Sequence, residues 1–221
     1  MSEVDIIADI LEAEIGYTED PPGSNRTKFG EEYGWNGVPW CVQFQWYGFA
    51  KAKLQRLFYG GQKTASCGQL MRYAQKTGQW ITEGYRRGDL VIMDFPNNST
   101  TTDHIGFVKG VKGTVLITIE GNTAPDNKGS QNNGGGVWEK RRDTKRVKIV
   151  GAYRPKYKED DMTGEEIYKK LNDYLKTLPV PEWARAELQE AIDAGITDGS
   201  QPMALIPRYQ AAIMAHRGSK I

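Results

Sequence analysis

The apolar positions Val4, Ile7, Ile10, Leu11 and Ile15 recur at helical spacing behind Ser2-Glu3-Val4-Asp5, a capping-box pattern, and Gly16 supplies a stop. The chain is predicted to open with a helix. Gly, Pro and Asn dominate from Asp20 to Pro39, which predicts a long ordered loop. A second helix is predicted from Pro39-Trp40-Cys41 towards Leu57, because Pro favours a first turn and Phe44, Tyr47, Gly48 and Leu54 repeat at helical intervals. A third, short helix is predicted behind Ser66-Cys67-Gly68-Gln69, a second capping-box pattern, with Gly78 as its end.

After Arg87-Gly88-Asp89 the period changes to that of strands. Leu90–Met93, His104–Val108, Val115–Glu120, Val137–Lys140 and Val147–Tyr153 are apolar or alternating runs separated by Gly- and Asn-rich turns. Helices followed by a meander of strands predict an α+β domain with N-terminal helices packed on an antiparallel sheet, over residues 1–155. The charged residues 156–162 then read as a linker, and 163–221 as a small all-helical domain. Within that domain Ile167, Leu171, Tyr174 and Leu178 form one stripe, Trp183, Leu188 and Ile192 a second helix, and Pro207 opens a third through Met214.

The balance of 29 Lys+Arg against 28 Asp+Glu leaves a formal charge of +1, and the two parts carry +3 and −2. No field draws nucleic acid to either part. No apolar run approaches the roughly 18 residues of a membrane span, so membrane insertion is not expected. The acidic start Met1-Ser2-Glu3-Val4-Asp5 is unlike a signal peptide, which predicts synthesis in the cytoplasm.

Two cysteines, Cys41 and Cys67, and two histidines, His104 and His216, restrict any thiol–imidazole pair to four combinations. Cys41 is predicted in the first turn of a helix, where unpaired N–H groups favour a thiolate. His104 begins a predicted strand that aims its ring, whereas His216 lies near the chain end. Glu120 and Asn122 close the next strand, where either side chain is placed to orient the imidazole. As a base, His104 would lose activity on protonation at low pH. The structural alternatives are an inert buried Cys41, a strand-end ion pair at Glu120 and turn chemistry at Asn122. Nothing near Cys67 in sequence supplies a base, so it reads as an inert core residue, and no disulfide to Cys41 is expected. The cysteines and histidines show no metal-ligand spacing, so neither metal nor cofactor is expected. The basic run Lys140, Arg141, Arg142, Lys145, Arg146 and Lys148 reads as a charged edge strand, with attraction to an anionic polymer as the alternative. Trp35, Trp40, Trp46, Trp80 and Trp138 divide between core packing and a binding groove.

The segments Gly23–Gly30, Val38-Pro39-Trp40-Cys41, Arg87-Gly88-Asp89-Leu90-Val91, Asp103-His104-Ile105-Gly106-Phe107-Val108 and Ile119-Glu120-Gly121-Asn122 resemble, in order, motifs of the CHAP family. Its members are cysteine- and histidine-dependent amidohydrolases and peptidases with a papain-like core, many of which cleave bacterial peptidoglycan. The resemblance spans residues 5 to 155. It implies Cys41 as nucleophile, His104 as base and then acid, Glu120 as the residue orienting His104, and Asn122 as further polar support. It also implies an oxyanion site at the Cys41 N–H, with Asn25 and Tyr33 as candidates for a second donor; Trp40 stands where some relatives have Gln. Residues 36–40 lack the carboxylates of the calcium loop that some relatives carry.

The function so implied is an endolysin-like peptidoglycan hydrolase, an N-acetylmuramoyl-L-alanine amidase or an endopeptidase, released through a phage-encoded pore. The alternatives are a wall-binding or phage structural module that keeps the fold without hydrolysis, and a protease acting on protein substrates. Trp183-Ala184-Arg185, residues 194–199 and 208–212 are similar to an S-layer-homology-like wall-binding unit, though without repeats; a dimerisation module is the equal alternative.

Overall fold

The computed structural model describes residues 1–95, 101–126, 128–158, 164–200, 216 and 218. Helix α1 (Glu3–Glu12) is fixed by a reciprocal capping box: Asp5 N–H donates to Ser2 Oγ at 3.1 Å and Ser2 N–H to Asp5 Oδ2 at 3.3 Å. Its Ile7, Ala8 and Leu11 are buried. The expected loop from 20 to 39 contains a six-residue helix, α2 (Lys28–Tyr33). Thr27 Oγ1 caps it by accepting from Gly30 N–H at 2.9 Å, and Gly34 ends it with φ +87°. Phe29 of α2 is buried among Tyr17, Trp40, Phe44 and Tyr47. That burial stabilises a helix too short to persist alone.

Helix α3 (Cys41–Lys51) is buried from Cys41 through Phe49. It stops at Lys51 rather than near Leu57, because Lys53 turns into the left-handed region with φ +59° and Leu54 N–H bonds Phe49 O at 2.8 Å. Gln55–Leu57 is a separate 3₁₀ turn. Helix α4 (Cys67–Lys76) starts behind Ser66, whose Oγ accepts from Gln69 N–H at 3.3 Å.

The strands are β1 (Trp80–Ile81), β2 (Leu90–Asp94), β3 (His104–Lys112), β4 (Val115–Thr123), β5 (Gly136–Asp143) and β6 (Lys148–Tyr153). They form one sheet, antiparallel throughout, in the order β1-β6-β2-β3-β4-β5. The meander therefore ends at β5. Strand β6 returns to the far side of β2, and the short β1, absent from the sequence reading, pairs with β6.

The larger core lies between helices and sheet and joins Leu11, Phe29, Phe44, Phe49, Phe58 and Leu70 to Ile92, Phe107 and Ile119. A smaller cluster of Val91, Met93, Val108, Leu116 and Ala152 covers the other face. The close approach of α3 to β4 depends on Gly121, where an added Cβ would lie 2.6 Å from Phe44 Cβ and 2.7 Å from Trp40 Cζ3.

The chain divides into two compact units, Met1–Glu159 and Asp160–Ile221. Tyr157, inside the expected linker, belongs to the first: its hydroxyl donates to Gly88 O at 2.7 Å. The second unit contains α5 (Gly164–Lys176), a 3₁₀ turn (Glu182–Ala184) and α6 (Arg185–Asp193). The stripe Ile167, Leu171 and Tyr174 is exposed rather than buried, as is Trp183. The helix expected from Pro207 lies outside the described residues, and His216 is exposed.

Candidate active site

Cys41 is the first residue of α3, and its thiol is buried. Trp40, the N-cap, offers no side-chain bond to the helix, so the first amides of α3 remain available to an anion. Val42 N–H bonds the Cys41 sulfur. The Cys41 N–H has no acceptor within the helix by α-helical geometry.

His104 is the first residue of β3, pairs with Met93 in the sheet and is fully buried. Its Nε2 lies 3.0 Å from Glu120 Oε2. Its Nδ1 is buried without a hydrogen-bond partner among the described residues, and the Cys41 thiol is close enough to the imidazole to influence its charge. Sheet geometry makes this possible at Gly106, where a Cβ would lie 2.8 Å from Glu120 Cγ and 3.2 Å from Thr118 Cβ. Any larger residue would occupy the space that Glu120 uses to reach across to His104.

The Glu120 carboxylate is fully buried and surrounded by donors. Arg142 Nε donates to Oε1 at 2.8 Å, Arg142 Nη2 donates to Oε2, and Thr118 Oγ1 donates to Oε1 at 2.5 Å. Burial would raise the Glu120 pKa, but the Arg142 and His104 bonds and charges outweigh it and hold it at about 2. Burial would likewise lower His104; the bonds and charges of Cys41 and Glu120 push it up to about 9 instead. Ionised Glu120 is acceptor-only, so His104 Nε2–H is the donor in their bond.

Cys67, the first residue of α4, is a hydrogen-bond neighbour of Cys41. That bond is the largest influence lowering the Cys41 thiol; burial opposes it, and His104 adds a second bond and a charge that hold the thiol well below its ordinary value. Cys67 moves oppositely: the bond to Cys41, burial and the charges of Cys41 and Asp103 raise its thiol well above the usual range. These shifts favour a thiolate on Cys41 beside an imidazolium on His104.

Cys41, His104 and Glu120 thus converge. Asn122 is placed differently: in the left-handed region at φ +60° and fully buried, it donates from Nδ2 to Asn133 Oδ1 at 3.1 Å and accepts from Gly135 N–H at 3.4 Å. These bonds hold the loop before β5 rather than the imidazole. Asn25 and Tyr33 bond within the preceding loop and to Lys63.

Arg142 was hidden in the basic run. Only its first three residues lie on the edge strand β5, where Lys140 and Arg142 point inward and are buried while Arg141 is exposed; Lys145 and Arg146 are in the turn that follows, and Lys148 begins the interior strand β6. Lys140 Nζ donates to Ala124 O at 2.8 Å. The period of two along β5 was the available signal.

A cleft of about 290 Å³ opens between the loop preceding Cys41 and the start of α4, lined by Trp35, Val38, Pro39, Ala65, Ser66 and Gln69. Of the five tryptophans considered, Trp35 lines it; Trp40 and Trp46 are core. Among the described residues, no group of three or more His, Cys, Asp or Glu side chains is arranged to hold a metal.

Residues 33–122, which include Cys41, His104, Glu120 and Asn122, match the family model of the CHAP domain. That stretch of the chain is similar to the CHAP domain. No curated protein matches the chain. Solved structures similar to it include the following two. One is the wild-type endolysin LysIME-EF1, at 15% identity and TM-score 0.42, over 72% of this chain and 66% of that one. The other is a protein described as similar to a lipoprotein of the NLP/P60 family from Staphylococcus aureus subsp. aureus Mu50, at 14% identity and TM-score 0.38, over 69% of this chain and 41% of that one. The chain spans just under two thirds of the first and about two fifths of the second. No helix of the described residues is long and apolar enough to cross a membrane.

Proposed function

We propose that the CHAP-like region hydrolyses an amide bond of bacterial peptidoglycan through a thioester on Cys41, as an N-acetylmuramoyl-L-alanine amidase or an endopeptidase. The observation that carries the reading is the buried His104–Glu120 pair near Cys41 at a helix N-terminus, with Pro39, two residues before Cys41, lining a cleft. The Cys41 thiolate attacks the carbonyl carbon, and the oxyanion meets the Cys41 N–H. His104 gives its proton to the leaving nitrogen as the tetrahedral adduct collapses to the thioester. Neutral His104 then takes a proton from water, which attacks the thioester and releases the carboxylate and Cys41. Glu120 accepts from Nε2–H throughout and keeps the ring oriented.

The second unit would serve as a wall-binding or dimerisation module, its exposed Leu171, Tyr174 and Trp183 being the residues offered. The substrate link would place the protein among endolysins acting after release through a phage-encoded pore. Zymography on cell walls tests hydrolysis: clearing by the wild type, and none by Cys41→Ala or His104→Ala, is expected. Clearing by both variants would remove the mechanism. Mass spectrometry of the released fragments distinguishes amidase from endopeptidase products.

A further inference from the structure

Arg142 spends its guanidinium on one carboxylate deep in the protein. Its Nε and Nη2 take both oxygens of Glu120, and its Nη1 donates to Gln131 Oε1 at 2.9 Å. The guanidinium carbon lies 5.2 Å from the centre of the Phe95 ring, and that ring lies 6.0 Å from the His104 ring. Both members of the ion pair are almost completely withdrawn from solvent, with side chains 4% and 0% exposed. A carboxylate in such a place keeps its charge only while a cation and donors hold it; deprived of them it takes up a proton. The protonated group would no longer be the acceptor that a charged imidazole needs.

We propose that Arg142 is a positioning residue of this site, holding Glu120 ionised and aimed at His104 Nε2 and, through Glu120, sustaining the charge of the Cys41–His104 pair. The inference rests on the reading of Cys41 and His104 given above. It makes β5 part of the machinery through a contact made two residues removed from any reacting atom. The charged and titratable groups that face the ion pair are His104 from β3 and Lys140 from β5, with Cys41 from α3 beyond the imidazole, and Cys67 from α4 and Asp103 beyond that. Lys140 is bonded to the carbonyls of Ala124 and Asp126, at 2.8 and 3.2 Å, and does not replace Arg142 on Glu120.

The experiment is NMR of isotope-labelled histidine in the full chain, comparing wild type, Arg142→Gln and Arg142→Lys. With two histidines in the sequence, the exposed His216 is the internal reference. In Arg142→Gln the His104 midpoint is expected to fall by at least about one pH unit, because the buried carboxyl becomes neutral and no longer favours the imidazolium. Arg142→Lys restores the charge without the fork, so the midpoint returns towards the wild-type value while the Nε2 proton resonance broadens as its bond loosens. An unchanged or raised midpoint in folded Arg142→Gln overturns the proposal. If that variant does not fold, Arg142→Lys decides: a sharp, wild-type Nε2 proton signal overturns the proposal, and a broadened one supports it. The imidazole is read without substrate, so a chain that cleaves no wall polymer would sink the hydrolase reading while leaving this test standing.

Discussion

Cys41 and Cys67 occupy matching places. Each is the first residue of a helix, α3 or α4, and each is buried in the same core. Yet one thiol is pulled well below its ordinary value and the other is driven well above it. An S–H···S⁻ bond between them favours whichever sulfur yields its proton first. His104 stands against Cys41, while Cys67 has Asp103 nearby, so the cation selects the first sulfur and the carboxylate penalises the second. A helix N-terminus alone does not make a nucleophile; a partner of the right charge does.

The comparison breaks most completely by exchanging which sulfur is removed. Cys41→Ala is expected to abolish wall hydrolysis, whereas Cys67→Ala retains measurable clearing in the same zymogram. His104→Ala removes the asymmetry: turnover falls by about 10²- to 10⁴-fold, and the two thiols approach each other in reactivity, read by site-resolved alkylation. Glu120→Gln keeps the shape but not the charge, and a loss on the order of 10²-fold in kcat is expected, with the alkaline limit of the rate profile moving down from about 9. Cys67→Ala makes the smallest change in turnover, raising the pH at which Cys41 becomes a thiolate through loss of one donor.

The pH profile carries its own sign. The Cys41–His104 pair persists above the lowered Cys41 value and below about 9, where the imidazolium loses its proton. Stability follows the same groups. His104, raised above its ordinary 6.5, contributes fully below that value and loses its contribution as pH climbs through about 9. Glu120, depressed from 4.5, contributes above that value and loses its contribution as pH falls through about 2.

Cys41, His104 and Glu120 could be singled out in the sequence because each has a strong local signature: the start of a Pro-led helix, the start of an apolar strand, and a carboxylate closing the apolar run of the next strand, which itself continues to Thr123. Arg142 was not, because a run of basic residues looks solvated until the strand register separates inward Arg142 from outward Arg141. The nearness of Cys67 to Cys41 is a tertiary fact; nothing in either helix announces the other. Helix α2 was lost in a Gly- and Asn-rich context, although Thr27 and Gly34 marked its ends. The return of β6 to β2 depends on sheet order, which strand periodicity does not encode. In the second unit the stripe through Ile167 and Leu171 has helical spacing, and it is spacing rather than burial that periodicity reports.

The most direct measurement is the pH dependence of iodoacetamide labelling at each cysteine of the folded protein, resolved by mass spectrometry, in wild type and His104→Ala. Labelling of Cys41 well below pH 9, with Cys67 unlabelled, and loss of that selectivity in the variant are expected. Equal, slow labelling of both cysteines in the wild type, unchanged when His104 is removed, would contradict the thiolate–imidazolium pair on which the site is built.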